Sequence, residues 1–155
     1  MSNPFWDFSL VHYAIEGVSP ACLSLQDDYG LDVNVLLYAA WWGAQGLLLD
    51  EAHLAILEAE VAPWREQVVR PLRGLRRQWR QLPAAAELRD GIAELELLSE
   101  RKQQDLMYAL ATASGDALRG PDSIHANLCL VARSGCAGET GWEEAVNRLA
   151  ELIRA

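Results

Sequence analysis

The sequence predicts an all-α protein: a single helical domain, residues 1–155, of about seven helices packed around a buried central helix at about 33–45. Three observations carry this. Apolar residues recur at three- and four-residue intervals almost throughout, and no stretch alternates strictly enough to form a strand. The periodic runs are preceded by Asn, Asp, Ser or Thr and followed by Gly, the punctuation of helix starts and stops. One run, Val33 to Gln45, is polar only at Asn34 and Gln45, the composition of a helix enclosed by other helices.

Taken in order, Asn3 is placed to cap a first helix from Pro4 to about Ile15, with Pro4 at the first helical position, where its missing N–H costs nothing. Phe5, Trp6 and Phe8 carry too much apolar area to stay in water, so this end must dock, with the region of Trp41 and Trp42 as its receiver. Ser19-Pro20 repeats the cap-and-proline start for a helix to Tyr29, which Gly30 closes. Asp32 caps the central helix, and Gly43 within it marks a close approach by a neighbouring backbone. Asp50 opens a fourth helical stretch that Pro63 and Pro71 must kink or restart. Beyond Pro63, Trp64, Val68, Leu72, Leu75, Trp79 and Leu82 form one stripe, and the arginines take the other half. A long helix, about Glu87 to Ala113, follows with a core stripe of Leu88, Ile92, Leu95, Leu98, Leu106 and Leu110. Asp122 or Ser123 caps a helix to about Arg133, and Thr140 caps the last, Trp142 to Ile153.

Composition narrows the class. A hydrophobic content of 51% excludes disorder. No signal-peptide pattern precedes the first helix, and the longest apolar run, Val35 to Ala44, is about half of what a bilayer requires, so no membrane role is expected. Three cysteines, Cys22, Cys129 and Cys136, are too few and odd in number for a disulfide framework; reduced thiols and a cytoplasmic location are expected. The net charge of −9 argues against nucleic acid as a partner. The distribution is uneven: residues 61–82 hold six arginines against Glu66 alone, a local +5 that leaves −14 for the rest.

Asn3 to Leu10 (Asn-Pro-Phe-Trp-Asp-Phe-Ser-Leu), Ala21 to Asp27, Gly30 to Leu37, Trp41 to Gly46, Val61 to Arg65 and Val69 to Arg73 together resemble a family of short proteobacterial proteins. The resemblance covers about residues 3–113 and is poor in the C-terminal third. It implies a small bacterial cytoplasmic protein without assigned activity, and it brings no catalytic or binding residues with it.

The residues therefore have to be read on their own. His125 and Cys129, four apart on one helix face, with Cys136 beyond, are a weak candidate for three metal ligands, to which Cys22 or His12 would add a fourth. Cys136 in its small-residue loop, with His125 as the nearest base, is a weak candidate nucleophile. Asp27, Asp28 and Asp32 gather at one corner but lack calcium-loop spacing. No phosphate loop or nucleophile elbow occurs, and no cofactor is expected. The strongest feature is the arginine face, Arg65, Arg73, Arg76, Arg77 and Arg80, with Trp79 beside it, since guanidinium groups bind carboxylates and stack on indoles. The competing reading of that face is internal: the acidic helix that follows folds back and pairs with it. The expected function is a non-enzymatic cytoplasmic interaction or regulatory protein that docks a protein partner through this helix. The alternative is a small-molecule-binding protein or small enzyme with a pocket between helices.

Overall fold

The computed structural model describes residues 2–155 and is all-α. Eight α-helices follow in order: α1 (Pro4–Tyr13), α2 (Val18–Tyr29), α3 (Val33–Ala44), α4 (Glu51–Trp64), α5 (Arg70–Gln78), α6 (Ala86–Ala113), α7 (Ser123–Gly135) and α8 (Glu143–Arg154). Among the described residues the only β-type pairing outside helices is an isolated antiparallel bridge between Leu47 and Arg119. The count exceeds seven because the fourth stretch divides. Pro71 has no N–H for the Gln67 carbonyl and its ring crowds that turn. The chain widens into a π-helical turn, Arg65–Val69, in which the Arg70 N–H reaches the Arg65 carbonyl. Pro63 is accommodated inside α4.

The contacts divide the chain into two compact units. The first comprises the described residues to Ala55 together with Ala113–Ala155; the second, Ile56–Thr112, is inserted between them in sequence.

In the first unit α3 is the enclosed helix the sequence predicts, buried from Asn34 to Ala40 and again at Trp42 and Gly43. Its main neighbour is α7, and α2 packs on α8. Gly43 is where α3 and α7 meet: a β-carbon there would lie 2.6 Å from the backbone N and Cα of Ile124. Ser123 Oγ donates to the Gly43 carbonyl at 2.7 Å. The buried Asn127 completes the seam, donating to the carbonyls of Ala39 (3.2 Å) and Leu47 (2.9 Å) and accepting from the Leu49 N–H (2.8 Å). At the N-terminus Asn3 Oδ1 accepts from the Trp6 N–H (3.1 Å), and Phe5 is buried against α3, stacked on Trp41 and edge-on to Tyr38. Trp42 is buried and Trp41 half-buried, so neither indole of the adjacent pair stands open to solvent.

Asp32 and Asp50 cap α3 and α4 through the N–H groups of Asn34 (2.8 Å) and His53 (2.7 Å). Three expected caps differ. Helix α2 starts from Gly17 in the left-handed region (φ 92°), not from Ser19. Asp122, also left-handed (φ 51°), leaves α7 without a side-chain cap and pairs with Arg154 at 2.7 Å. Helix α8 begins after Trp142 with no cap from Thr140; the Glu143 carboxylate accepts from the Gly141 N–H instead.

The second unit is a helical hairpin. Trp64 Nε1 donates to the Ser99 carbonyl (2.8 Å), Arg73 and Arg76 reach Glu96, and Arg89 Nη1 donates to the Arg80 carbonyl (3.4 Å). Partners that ascend on one side descend on the other, so α6 runs antiparallel to the segment carrying α5.

Gly43→Ala is expected to cost about 2–3 kcal/mol in chemical denaturation, because the added methyl meets backbone that cannot rotate away. An unchanged midpoint would show that α3 and α7 can separate freely.

Candidate functional site

The arginine-rich segment is positioned by the hairpin, and the structure sorts its members. Arg65 donates to both carboxylate oxygens of Glu58 (3.3 and 2.7 Å) and is largely buried. Arg70 pairs with Glu66 one turn back at 2.6 Å. Arg73 spans two acids of α6, with Nε 3.2 Å from Glu96 Oε1 and Nη2 3.0 Å from Glu100 Oε1. Arg76 binds Glu96 through Nε and through Nη2, the latter at 3.2 Å. Arg77 and Arg80 remain exposed, with Trp79 half-buried between them at the start of a 3₁₀ turn, Trp79–Gln81. The expected single arginine face is thus two sets: Arg65, Arg73 and Arg76 are committed to internal carboxylates, and Arg77 and Arg80 face outward.

Glu96 is the centre of the committed set, with its side chain 9% exposed. Burial pushes its carboxyl up, but hydrogen bonds and charge from Arg76, then Arg73, outweigh that and hold it below the ordinary carboxylate range. The same hydrogen bond, against the opposing effect of burial, raises Arg76 further above its ordinary value.

This pairing overturns the expected core stripe of α6. Glu96, Ser99, Gln103, Gln104, Met107 and Ala111 are the buried positions, whereas Leu88, Leu95 and Leu98 are 64%, 51% and 53% exposed. The reason is rotational. On α6 the leucine stripe lies about a third of a turn from Glu96 and Glu100, so turning the acids towards α5 turns the leucines away. On α5 the stripe of Leu72, Leu75, Trp79 and Leu82 is displaced from Arg73 and Arg76 in the same rotational sense. Because the helices are antiparallel, both stripes emerge on one side of the hairpin, where Leu75 and Leu82 are also exposed.

In the first unit His125 and Cys129 do share a face of α7. The Cys129 sulfur lies 3.6 Å from Nε2 and 4.0 Å from Nδ1 of His125. Nε2–H donates to Asn147 Oδ1 at 2.7 Å, which leaves Nδ1, the more distant nitrogen, as the only acceptor for a thiol proton. Burial raises the Cys129 thiol; the charge of Arg133 opposes it, and Asp122 and Glu143 add to the rise. Cys136 is elsewhere, buried with its sulfur 3.8 Å from the Tyr29 carbonyl, and burial raises it too. The His125, Cys129 and Cys136 set does not converge, and among the described residues no three His, Cys, Asp or Glu side chains are grouped to hold a metal ion. Cys22 is buried and pushed up to about 12.

Two features of this unit escaped the sequence reading. Buried Tyr38 and half-buried His53 share a hydrogen bond of 2.8 Å beside Trp42; burial lowers His53, against the opposing charge of Asp50, and raises Tyr38. An open groove of about 850 Å³ runs between α2 and α8, lined by Ser24, Asp28, Tyr29, Glu144, Asn147 and Arg148 among others. Among the described residues no helix is long and apolar enough to cross a membrane.

Glu96→Gln is expected to lower stability at pH 7 by about 2–3 kcal/mol, since two guanidinium groups lose their shared anion. A carboxyl held below its ordinary 4.5 contributes stability above that pH and loses it as the pH falls further. The gap between wild type and variant should therefore close on acidification below 4.5, and a gap independent of pH would contradict the pairing. Iodoacetamide at pH 8 should leave Cys22 unmodified in the folded protein and alkylate Cys129 more slowly than free cysteine, read by peptide mass spectrometry. Rapid alkylation of Cys129 at pH 7 would contradict a thiol raised by burial.

No curated protein and no solved structure matches the chain. Residues 4–107, which run from the start of α1 into α6 and include all of α5, match the profile of a family described as "Protein of unknown function (DUF2390)". The chain belongs to that family.

Proposed function

We propose that this is a non-enzymatic cytoplasmic interaction protein that docks an acidic protein partner through the outward arginines of the hairpin. One observation carries the reading. Arg77 and Arg80 are exposed beside the half-buried Trp79, in a stretch from Gln67 to Ala86 without a single acid. Guanidinium groups next to a half-buried indole suit carboxylates presented on a helix or strand of another protein. The −14 carried outside residues 61–82 disfavours a polyanion as long as a nucleic acid.

The alternative of a small-molecule-binding protein has one specific observation in its favour. Asn147 both lines the α2–α8 groove and holds His125, so a ligand there would contact a residue linked to the His125–Cys129 pair. The groove is open, and the thiol beside it is not activated, so we place this second.

The test is affinity capture from a lysate of the source cell, comparing wild type with Arg77→Glu/Arg80→Glu and identifying retained proteins by mass spectrometry. Arg73 and Arg76 are left intact, because acids there would face Glu96. A retained protein whose recovery drops about tenfold in the variant, with circular dichroism unchanged and nuclease treatment without effect, is the expected result. Equal recovery by both proteins would overturn the proposal.

A further inference from the structure

We infer that the groove between α2 and α8 is a binding site for a free α-amino acid with a cationic side chain, lysine or arginine in chemistry. The site is independent of the docking proposed for Arg77 and Arg80. It rests on the groove of the second reading above and names the ligand that groove takes.

Helices α2 and α8 lie antiparallel, so the groove has two different ends. A β-carbon on Gly17, at the start of α2, would stand 3.0 Å from Leu152 and 3.7 Å from Arg148 Nη2. At the other end the Tyr29 hydroxyl would stand 2.9 Å from a β-carbon on Gly141. The Gly17 end therefore holds Arg148, with Glu151 one turn further along α8, and the Tyr29 end holds Asp28 and Glu144. The lining between them includes Ala21 and Ala145, small apolar residues that leave room for a methylene chain.

The charges of this groove are not spent on each other. Glu144 precedes Arg148 by four residues, the spacing and order at which an acid and a base on one helix pair best. They do not pair: no described residue hydrogen-bonds or ion-pairs with the side chains of Glu144, Arg148 or Glu151. Arg148 lies instead against Gly17, a left-handed glycine (φ 92°) without a side chain to displace it. Ser24 Oγ donates to Asp28 Oδ2 at 3.1 Å, which steadies that carboxylate and leaves its other oxygen to accept.

Three carboxylates and one guanidinium, divided in this way, ask for two cations and one anion in a fixed order. A basic amino acid supplies them. Its carboxylate meets Arg148, its α-ammonium meets Glu151 at the same end, and its side-chain cation reaches Asp28 and Glu144. Glu144 and Arg148 are about 6 Å apart along the helix axis, close to the reach of an extended lysine side chain. A diamine would leave Arg148 facing a like charge, and a neutral side chain would leave the Tyr29 end unanswered. The groove is open, so the dissociation constant should be modest, on the order of 100 μM.

Isothermal titration calorimetry of the full-length protein tests this with four probes: lysine, arginine, cadaverine (lysine without its carboxylate) and norleucine (a neutral counterpart of lysine). Lysine or arginine should bind near the stated constant, with cadaverine and norleucine about tenfold weaker or worse. Arg148→Ala should abolish the preference for lysine over cadaverine. Asp28→Asn/Glu144→Gln should weaken lysine about tenfold with helicity unchanged, since both positions are exposed. Arg77→Glu/Arg80→Glu should bind lysine as wild type does, which separates this site from the docking surface. Absence of binding by lysine and arginine at about 5 mM overturns the inference, as do norleucine binding equal to lysine and groove variants indistinguishable from wild type. Cadaverine as tight as lysine would keep the groove as a site and overturn the amino-acid assignment.

Discussion

The contact on which the first unit depends is the meeting of two backbones at Gly43. There α3 and α7 approach until only a hydrogen atom fits between the Gly43 Cα and Ile124. Close approach brings the Ser123 hydroxyl to the Gly43 carbonyl and lets Asn127 reach Ala39, Leu47 and Leu49 at once. A wider helix pair would leave that amide and its backbone partners buried and unmatched, a larger penalty than the loss of the bonds themselves. The seam also holds residues 33–49 beside 118–132, which lie on either side of the inserted second unit in sequence.

In the second unit a different force sets the arrangement. Leucines were available on both helices to make an apolar hairpin interior, and the structure places Glu96 between two arginines instead. Such a cluster is a poor source of stability, because desolvating three charges offsets most of their attraction. What it supplies is rotation: bidentate contacts from Arg76 and the span of Arg73 to Glu100 fix which face of α6 meets α5. The leucines are then presented outward as a consequence of that choice. An apolar interior would have hidden them and left the charges as an ordinary solvated surface.

Much of the first unit was legible because its signals are local. Asn3, Asp32 and Asp50 cap within three residues, Gly30 terminates α2 in the left-handed conformation, and Gly43 stands out as the one glycine inside an all-apolar helix. The failures are where a local signal had a distant competitor. Asp122 has the right chemistry for a cap but pairs with Arg154, thirty-two positions away. The α6 stripe was found correctly as a stripe and assigned to the wrong side, since periodicity gives the relative phase of residues and never which phase faces inward. A signal for the correct phase was present: Arg73 and Arg76, three apart, and Glu96 and Glu100, four apart, each mark one helical face and match each other in charge.

These observations also bear on where the chemistry of this family lies. The matched residues 4–107 contain Gly43, Arg73, Arg76 and Glu96, but end before His125, Cys129, Cys136 and Asn147. A reaction built on that histidine and those thiols would rest on residues outside the matched segment, and the geometry there already argues against one. Nε2 of His125 is engaged by Asn147, Cys129 is raised by burial, and Cys136 is remote. The hairpin, by contrast, has its ion-paired interior, its outward arginines and its leucine side inside the match. Within the match the ionic pairing at Glu96 sets which faces of α5 and α6 turn outward, and the docking proposed above rests on those faces.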